Sequence, residues 1–345
     1  MIEKNETEIM KSWTYSEPFL LTVVVVSFNH ENYMEHALDG ILMQETDFPF
    51  EIIVHDDCST DNTVNILEEY AKKYPTIIKL ILQKENQHSK GIKPTAAPFE
   101  KAAGKYIAIC EGDDYWIDPL KLQIQLDEMR KIENCQISFH SAIDIWEDKS
   151  KKDEITTKQA DGNKLFTTRE VILGGGGFCP TVSLVFEKDA VMNLPRWYEN
   201  APFGDYFLQI FGSLKGGALY IDRPMAVYRR NVAGSWSSMM LNIEKREKQF
   251  ERMNVTLDEM DRYFERKFHS EIKKIESDWY LDMAYSYLYN NDFNKFDQTV
   301  SQSYRLAKNK SKKMLFSFYL RKTPFILQII GKLNRKLNKY LVSKG

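Results

Sequence analysis

The sequence predicts an α/β fold built on a mostly parallel central sheet, with a helical extension at its C-terminal end. Three observations carry this. Between residues 19 and 110, continuous apolar runs alternate with segments of helical apolar spacing. Acidic and hydroxyl-bearing turns follow two of those runs, at the carboxyl ends of strands, where open α/β sheets bind ligands. From about 240 to 310 the chain is highly charged and contains neither Pro nor Gly.

Phe19 to Val26 (FLLTVVVV) is continuously apolar and β-branched, as a strand covered on both faces must be. After SFNHEN, Tyr33, Met34, Ala37, Leu38, Ile41 and Leu42 recur at three- and four-residue spacing, one apolar helix face ending near Gln44. A second strand, Phe50 to His55, runs into DDCSTDNT, whose Ser, Thr, Asp and Asn suit a helix start; Val64, Leu67, Tyr70 and Ala71 carry that helix to the Tyr74-Pro75 break. Strand three is expected over Ile77 to Leu82, a short helix near 95 to 103, and strand four over Lys105 to Cys110. EGDDYWIDPLKL follows, with Asp118 and Pro119 at the cap and first turn of another helix. Beyond 135 the pattern is mixed, with strand-like segments near 136 to 146, 182 to 187 and 218 to 228 around a GGGG run at 174 to 177. MAYSYLYNNDFNKFDQTVSQSYRLA reads as a helical hairpin.

A chain of 345 residues is long enough for one large domain and a smaller one. Hydrophobic content of 43% and charged content of 28% exclude wholesale disorder and a polytopic membrane protein. MIEKNETEIMKSW lacks the apolar core of a secretory signal, and 19 to 26 is too short to span a bilayer, so a cytoplasmic location is expected. Cys58, Cys110, Cys135 and Cys179 show no CxxC spacing and read as free thiols of a reducing compartment. The net charge of -2 hides a basic end: residues 298 to 345 hold 12 Lys or Arg and no Asp or Glu.

Glu111, Asp113 and Asp114 stand directly after a strand, and a hard divalent cation takes such oxygen ligands. Alone, EGDD is more simply an acidic turn. Its place in a series changes the weighing, because SFNHENY, HDDCSTDNT and EGDDYWIDP follow strands one, two and four in that order. Together these motifs resemble family 2 glycosyltransferases of the GT-A fold over roughly residues 20 to 238.

The resemblance implies that Asp57 receives the base of a nucleoside, that Ser27, Phe28 and Asn29 line its pocket largely through the backbone, and that Glu111, Asp113 and Asp114 approach the ribose, diphosphate and metal. Asp113 and Asp114 become the expected ligands of Mn²⁺ or Mg²⁺; Glu111 stands where many relatives carry Asp, which leaves open which carboxylate binds the ion. Lys93 in NQHSKGIKP is either a base or phosphate contact or a solvated loop lysine. Asp205 in FGDYFLQ reads locally as a structural cap. The family, however, carries its catalytic Asp in an ED or GD motif at this distance, and Asp205 stands 91 residues after Asp114. A helix N-terminus lowers a carboxylate's pKa, so Asp205 is expected to be ionised at neutral pH. VYRRNVAGSWS resembles the family's YRxHxxGxWS element, offering Arg229, Arg230 and Trp236 to the donor, with Asn231 in the place of the His; Arg230 reads equally as a surface charge.

His30, His55 and His140 have no zinc spacing and read as packing or hydrogen-bonding residues. GGGGF is no phosphate loop, and no GxGxxG follows the first strand, which argues against a dehydrogenase or kinase; SFNHEN also lacks the Gly-rich loop of a nucleotidyltransferase. The expected function is an inverting, metal-dependent glycosyltransferase. It moves a sugar from a nucleotide-sugar donor, UDP-linked by preference, to a hydroxyl of a glycan or lipid-linked acceptor in polysaccharide synthesis. The alternative is a non-catalytic nucleotide-sugar or glycan-binding protein, which the intact carboxylate set disfavours. Expected divisions are an extension (1–18), the GT-A domain (19–238), a helical region (239–310) suited to a homodimer contact, and a basic amphipathic tail (311–345). The tail suits either the anionic inner face of a membrane or packing on the domain. No nucleic-acid motif accompanies its charge.

Overall fold

Strand β1 (Leu21–Ser27) is the axis on which the site is built, paired in parallel with β2 (Phe50–Asp56) on one side and β4 (Tyr106–Glu111) on the other. Leu21, Val23, Val24 and Val25 have no solvent exposure, which is why this run is apolar without alternation. The register sets Ser27 beside Asp56 and Val26 beside Glu111, so three strands deliver their carboxyl ends at one level.

The computed structural model describes residues 4–155, 157–232, 240, 242–331 and 333. Among these, one sheet runs in the order β3-β2-β1-β4-β9-β6-β10-β5, with β3 (Ile78–Leu82), β5 (Tyr115–Trp116), β6 (Ile137–Trp146), β9 (Val185–Glu187) and β10 (Ala218–Arg230); β7 (Glu154–Ile155) and β8 (Lys164–Phe166) pair at its side. The β1 to β4 half is parallel, whereas β9 runs antiparallel to β4 and β6, and β10 runs parallel to β6 and antiparallel to β5. The helices of this part are α1 (Glu6–Met10), α2 (Met34–Leu42), α3 (Thr63–Lys73), α4 (Ala96–Lys101), α5 (Lys121–Arg130), α6 (Thr168–Gly174), α7 (Asp189–Met192) and α8 (Gly204–Gly212).

Of the expected α2 face, Met34, Ala37, Leu38, Ile41 and Leu42 are fully buried, whereas Tyr33 is the half-buried cap that precedes the helix. Helix α5 begins later than expected. Asp118 accepts the Leu120 N–H at 3.0 Å in a local turn, and Leu120, not Asp118, is the cap. The expected strand at 182 to 187 opens as a 3₁₀ turn (Thr181–Ser183) behind Pro180, and the strand itself begins at Val185. Residues ahead of β1 are tied to the domain: Glu6 accepts the Thr76 and Ile77 N–H groups, and the Tyr74 hydroxyl donates to the Lys4 carbonyl.

The chain divides into two compact units, Met1–Ser235 and Trp236–Gly345. The second contains α9 (Ile243–Tyr263), α10 (His269–Tyr289), α11 (Phe293–Leu306) and α12 (Lys312–Tyr319). Met283, Ala284, Leu288, Phe296 and Val300 form the core between α10 and α11, and Leu327 joins it. Met314 and Leu327 of the tail are buried, while Phe316, Tyr319, Phe325, Ile329 and Leu333 are exposed. Among the described residues no helix is long and apolar enough to cross a membrane.

Helix α2 lies against β5 so closely that a Cβ at Gly40 would stand 2.6 Å from the Trp116 carbonyl oxygen. Backbone cannot yield as a side-chain end can. Gly40→Ala is therefore expected to lower stability by about 1–3 kcal/mol in urea unfolding. Gly177→Ala, where an added Cβ meets nothing, should change it by less than about 0.5 kcal/mol.

Candidate active site

The turns after β1 and β2 are sewn together by side chains that bond backbone. Asn29, in a left-handed conformation at φ 56°, accepts the Thr60 N–H at 2.8 Å and donates its own N–H to Ser59 Oγ at 2.8 Å. Glu31 accepts the Asn62 N–H, and Asp61 accepts that of Glu31. Asp56 holds Ser59 through both amide and hydroxyl. Asp57 is 2% exposed, and its two oxygens accept the Gln87 and His88 N–H groups at 2.7 and 3.0 Å. In the structure its carboxylate thus orders the 85–91 turn. Ser27 receives the Asp57 N–H on its carbonyl, while its buried hydroxyl has no partner; Phe28 beside it is 44% exposed.

The acidic turn after β4 lies against that first loop. A Cβ on Gly112 would stand 2.6 Å from His30 Nδ1, so only glycine allows the approach. Asp114 is fully buried, whereas Glu111 and Asp113 are half-buried. One Asp114 oxygen accepts the Arg229 N–H at 2.8 Å, and the other has no partner. The Arg229 guanidinium donates to the Asp113 carbonyl at 2.6 Å, pairs with Glu147 at 3.0 Å, meets His36 Nδ1 at 2.9 Å and stacks over the rings of Tyr115 and Tyr33. At 6% exposure this arginine is committed to holding the acidic turn, and its geometry is not that of an open phosphate donor.

Burial, with the fields of Asp113 and Asp205, pushes Glu111 up to about 8, and burial with the fields of Asp113 and Glu111 pushes Asp114 well above the carboxylate range. The field of Asp205 on Glu111 points to the second half of the site. Asp205 lies in the first turn of α8, accepting the Tyr206 N–H at 2.8 Å and the Thr181 hydroxyl at 3.1 Å. Its pKa is raised, not lowered as the helix N-terminus suggested: burial outweighs those two hydrogen bonds and the nearby Lys93 charge. Lys93 donates to the Ala201 carbonyl at 2.8 Å and sits 4.8 Å above the Tyr198 ring. It therefore faces the Asp205 side of the site.

Glu111, Asp113, Asp114, Lys93 and Asp205 come together at the carboxyl ends of β1 and β4, with the Asp57 turn beside them. Arg230 does not join them as a free cation, because it pairs with the buried Asp144 at 2.6 Å. Asn231 bonds Asp148. Trp236 and the boundary expected near 238 lie outside the described residues. Thr181, Tyr198 and His30 were not singled out for the site by sequence; the first two stand in irregular segments with no periodicity or motif to mark them.

Among the described residues no three His, Cys, Asp or Glu side chains form a cage for an ion. Mg²⁺ and Mn²⁺ need less, often one or two carboxylates completed by phosphate oxygens and water. The half-buried Asp113, the unpartnered Asp114 oxygen and carboxylates raised by burial and by one another make a donor set short of positive charge. That set fits a hard divalent cation arriving with a diphosphate.

Residues 22–234 match the family model described as glycosyl transferase family 2. An uncharacterized protein of Mycobacterium tuberculosis is 34% identical over 226 residues, 63% of this chain and 61% of that relative, so the chain spans less than two thirds of its length. Among solved structures, Staphylococcus aureus TarS 1–349 in complex with UDP-GlcNAc matches with a TM-score of 0.60 at 14% identity, covering 89% of this chain and 88% of that one. The mannosyltransferase PcManGT from Pyrobaculum calidifontis, in complex with GDP-Man and Mn²⁺, matches with a TM-score of 0.51 at 13% identity, covering 92% and 87%. At these identities the two structures speak to the fold.

Removing the Arg229 side chain takes a buried cation from Glu147 and from the field on buried Asp114, whose bond to the Arg229 main-chain N–H remains; losing one buried partner typically costs several kcal/mol. Arg229→Met is expected to lose about 3–5 kcal/mol in urea unfolding. Lys131→Ala, which breaks the exposed pair with Glu128, should leave the urea midpoint essentially unchanged.

Proposed function

The chain belongs to glycosyl transferase family 2 and has the GT-A fold, and from that premise we propose that it is an inverting glycosyltransferase using a nucleoside-diphosphate sugar, UDP-linked by preference. The observation that supports this reading is that Asp205, in the first turn of α8, is bonded to Thr181 at the head of the segment lying against β4, where the Ile109 N–H donates to the Leu184 carbonyl, so that its charge reaches Glu111. A carboxylate alone beside a diphosphate site is what an acceptor hydroxyl needs as a base.

In this reading the nucleoside lies over the sewn turns of β1 and β2, against Ser27, Phe28, Asn29 and the turn that Asp57 orders. Asp113, with Asp114 beneath it, would hold Mn²⁺ or Mg²⁺, which when bound neutralises charge on the diphosphate. Asp205 takes the acceptor proton as the hydroxyl oxygen bonds to the anomeric carbon. The bond from that carbon to the diphosphate oxygen breaks, and the diphosphate leaves with the electron pair. A single displacement inverts the centre. Thr181 and the Tyr206 N–H aim the Asp205 carboxylate. The acceptor class proposed is a hydroxyl of a glycan or lipid-linked glycan in polysaccharide synthesis.

The tail supports peripheral attachment to an anionic membrane. Phe316, Tyr319, Phe325, Ile329 and Leu333 expose apolar surface within a stretch rich in Lys and Arg and free of acids. A homodimer through the helical unit is the proposed assembly.

Thermal unfolding should rise with UDP plus Mn²⁺ or Mg²⁺, less with dTDP, GDP or CDP, and the rise should vanish in Asp113→Ala, Asp114→Ala. No shift with any nucleotide would count against the donor site. Asp205→Asn should lower kcat by about 10²- to 10⁴-fold with the nucleotide shift kept. Because the base must be ionised and its pKa is raised, the acid limb of kcat/KM should lie above about pH 4, the ordinary aspartate range. For the tail, Phe325→Ser with Ile329→Ser should reduce sedimentation with phosphatidylserine vesicles. Undiminished sedimentation would rule out attachment through this face.

A further inference from the structure

Tyr198 lies on a 3₁₀ turn (Arg196–Asn200) that leads into the catalytic helix. Its ring is fully employed, held under the Lys93 ammonium, which itself is anchored on the Ala201 carbonyl. Its hydroxyl oxygen is not. That oxygen is buried and has no hydrogen-bond partner. A buried hydroxyl left unpaired costs about 1–3 kcal/mol, so phenylalanine would serve the packing better. The position of the hydroxyl gives it another use. A Cβ on Gly204 would stand 3.0 Å from the phenol oxygen and 3.6 Å from Lys93 Cδ, and Asp205 is the next residue. Glycine at 204 thus leaves room for phenol and lysine, and each lies within the electrostatic reach of the Asp205 carboxylate.

Resting on the reading of Asp205 as the base, we propose that the Tyr198 hydroxyl donates a hydrogen bond to a second hydroxyl of the acceptor, next to the one that reacts. The site then selects acceptors with neighbouring hydroxyls, as on a sugar ring or a polyol, over lone alcohols. Hydroxyls on adjacent carbons are spaced so that two side chains lying together engage both at once. Asp205 accepts from one, and Tyr198 donates to the other. Lys93 fixes the ring that carries the donor, so in this arrangement it acts on the acceptor through Tyr198. The acidic turn lies on the Glu111 side of Asp205 and serves the donor, which leaves the phenol to the incoming group.

The test is competition between small acceptors for the sugar of a panel of UDP-hexoses and UDP-N-acetylhexosamines. The wild-type protein should transfer to propane-1,2-diol in preference to propan-1-ol. Tyr198→Phe should reduce that preference about three- to tenfold, the worth of one hydrogen bond, while the variant remains folded by its thermal transition. An unchanged preference in the folded variant overturns the inference and leaves the transferase reading standing. So does a wild-type protein that treats the two alcohols alike, a result that needs no variant. Absence of sugar release to any acceptor or to water would instead overturn the transferase reading, and the inference with it.

Discussion

Carboxylates crowded on one short turn repel one another, and the site depends on how that repulsion is contained. Containment comes from Arg229, 115 residues beyond Asp114, which gives its backbone N–H to one carboxylate and its guanidinium to the carbonyl of the next residue back. Much of the sheet serves this meeting. Strand β10 runs beside β6 and turns past β5, where Val227 pairs with Tyr115, and two residues further Arg229 arrives at the turn. The positive charge is spent inside the protein, so the half-buried Asp113 and Glu111 still face a deficit that a ligand can fill.

How much of this was legible in the sequence depends on how local the cause is. Strands β1, β2 and β4 were readable because a strand buried on both faces leaves an unbroken apolar run, and α2 because its buried positions recur at helical spacing. The α5 boundary was misread, since Asp118 spends its carboxylate on a local turn and on Arg223, an interaction with β10 that no window of sequence contains. The motifs marked Asp57, Asp205 and Arg229 as positions without saying what their atoms face. Asp57 faces backbone amides, Arg229 faces the acidic turn, and Asp205 is buried enough for desolvation to outweigh its helix terminus. Tyr198 was invisible, because its meaning arises only where the chain after α7 returns to the carboxyl end of β4.

The two sides of the site are made of different material. The proposed donor side stands on strand ends locked in register. The proposed acceptor side is assembled from 3₁₀ turns and short segments between residues 174 and 205, pinned at Thr181, Lys93 and Asp205. A nucleotide is the same from one reaction to the next, whereas acceptors differ, and the rigid and irregular halves match that division.

Among the sewn turns, almost every stitch runs from a side chain to a backbone amide. Asn29, Glu31, Asp56, Asp57 and Asp61 clasp N–H groups, which all residues but proline possess, with the hydroxyls of Ser59, Thr60 and Thr63 held as well. Most positions they clasp are therefore free to drift in identity without loosening the frame. Gln87, His88 and Asn62 are held by what every amino acid but proline shares. A lineage could exchange them, one at a time, and explore new bases or sugars while the scaffold stays shut behind it.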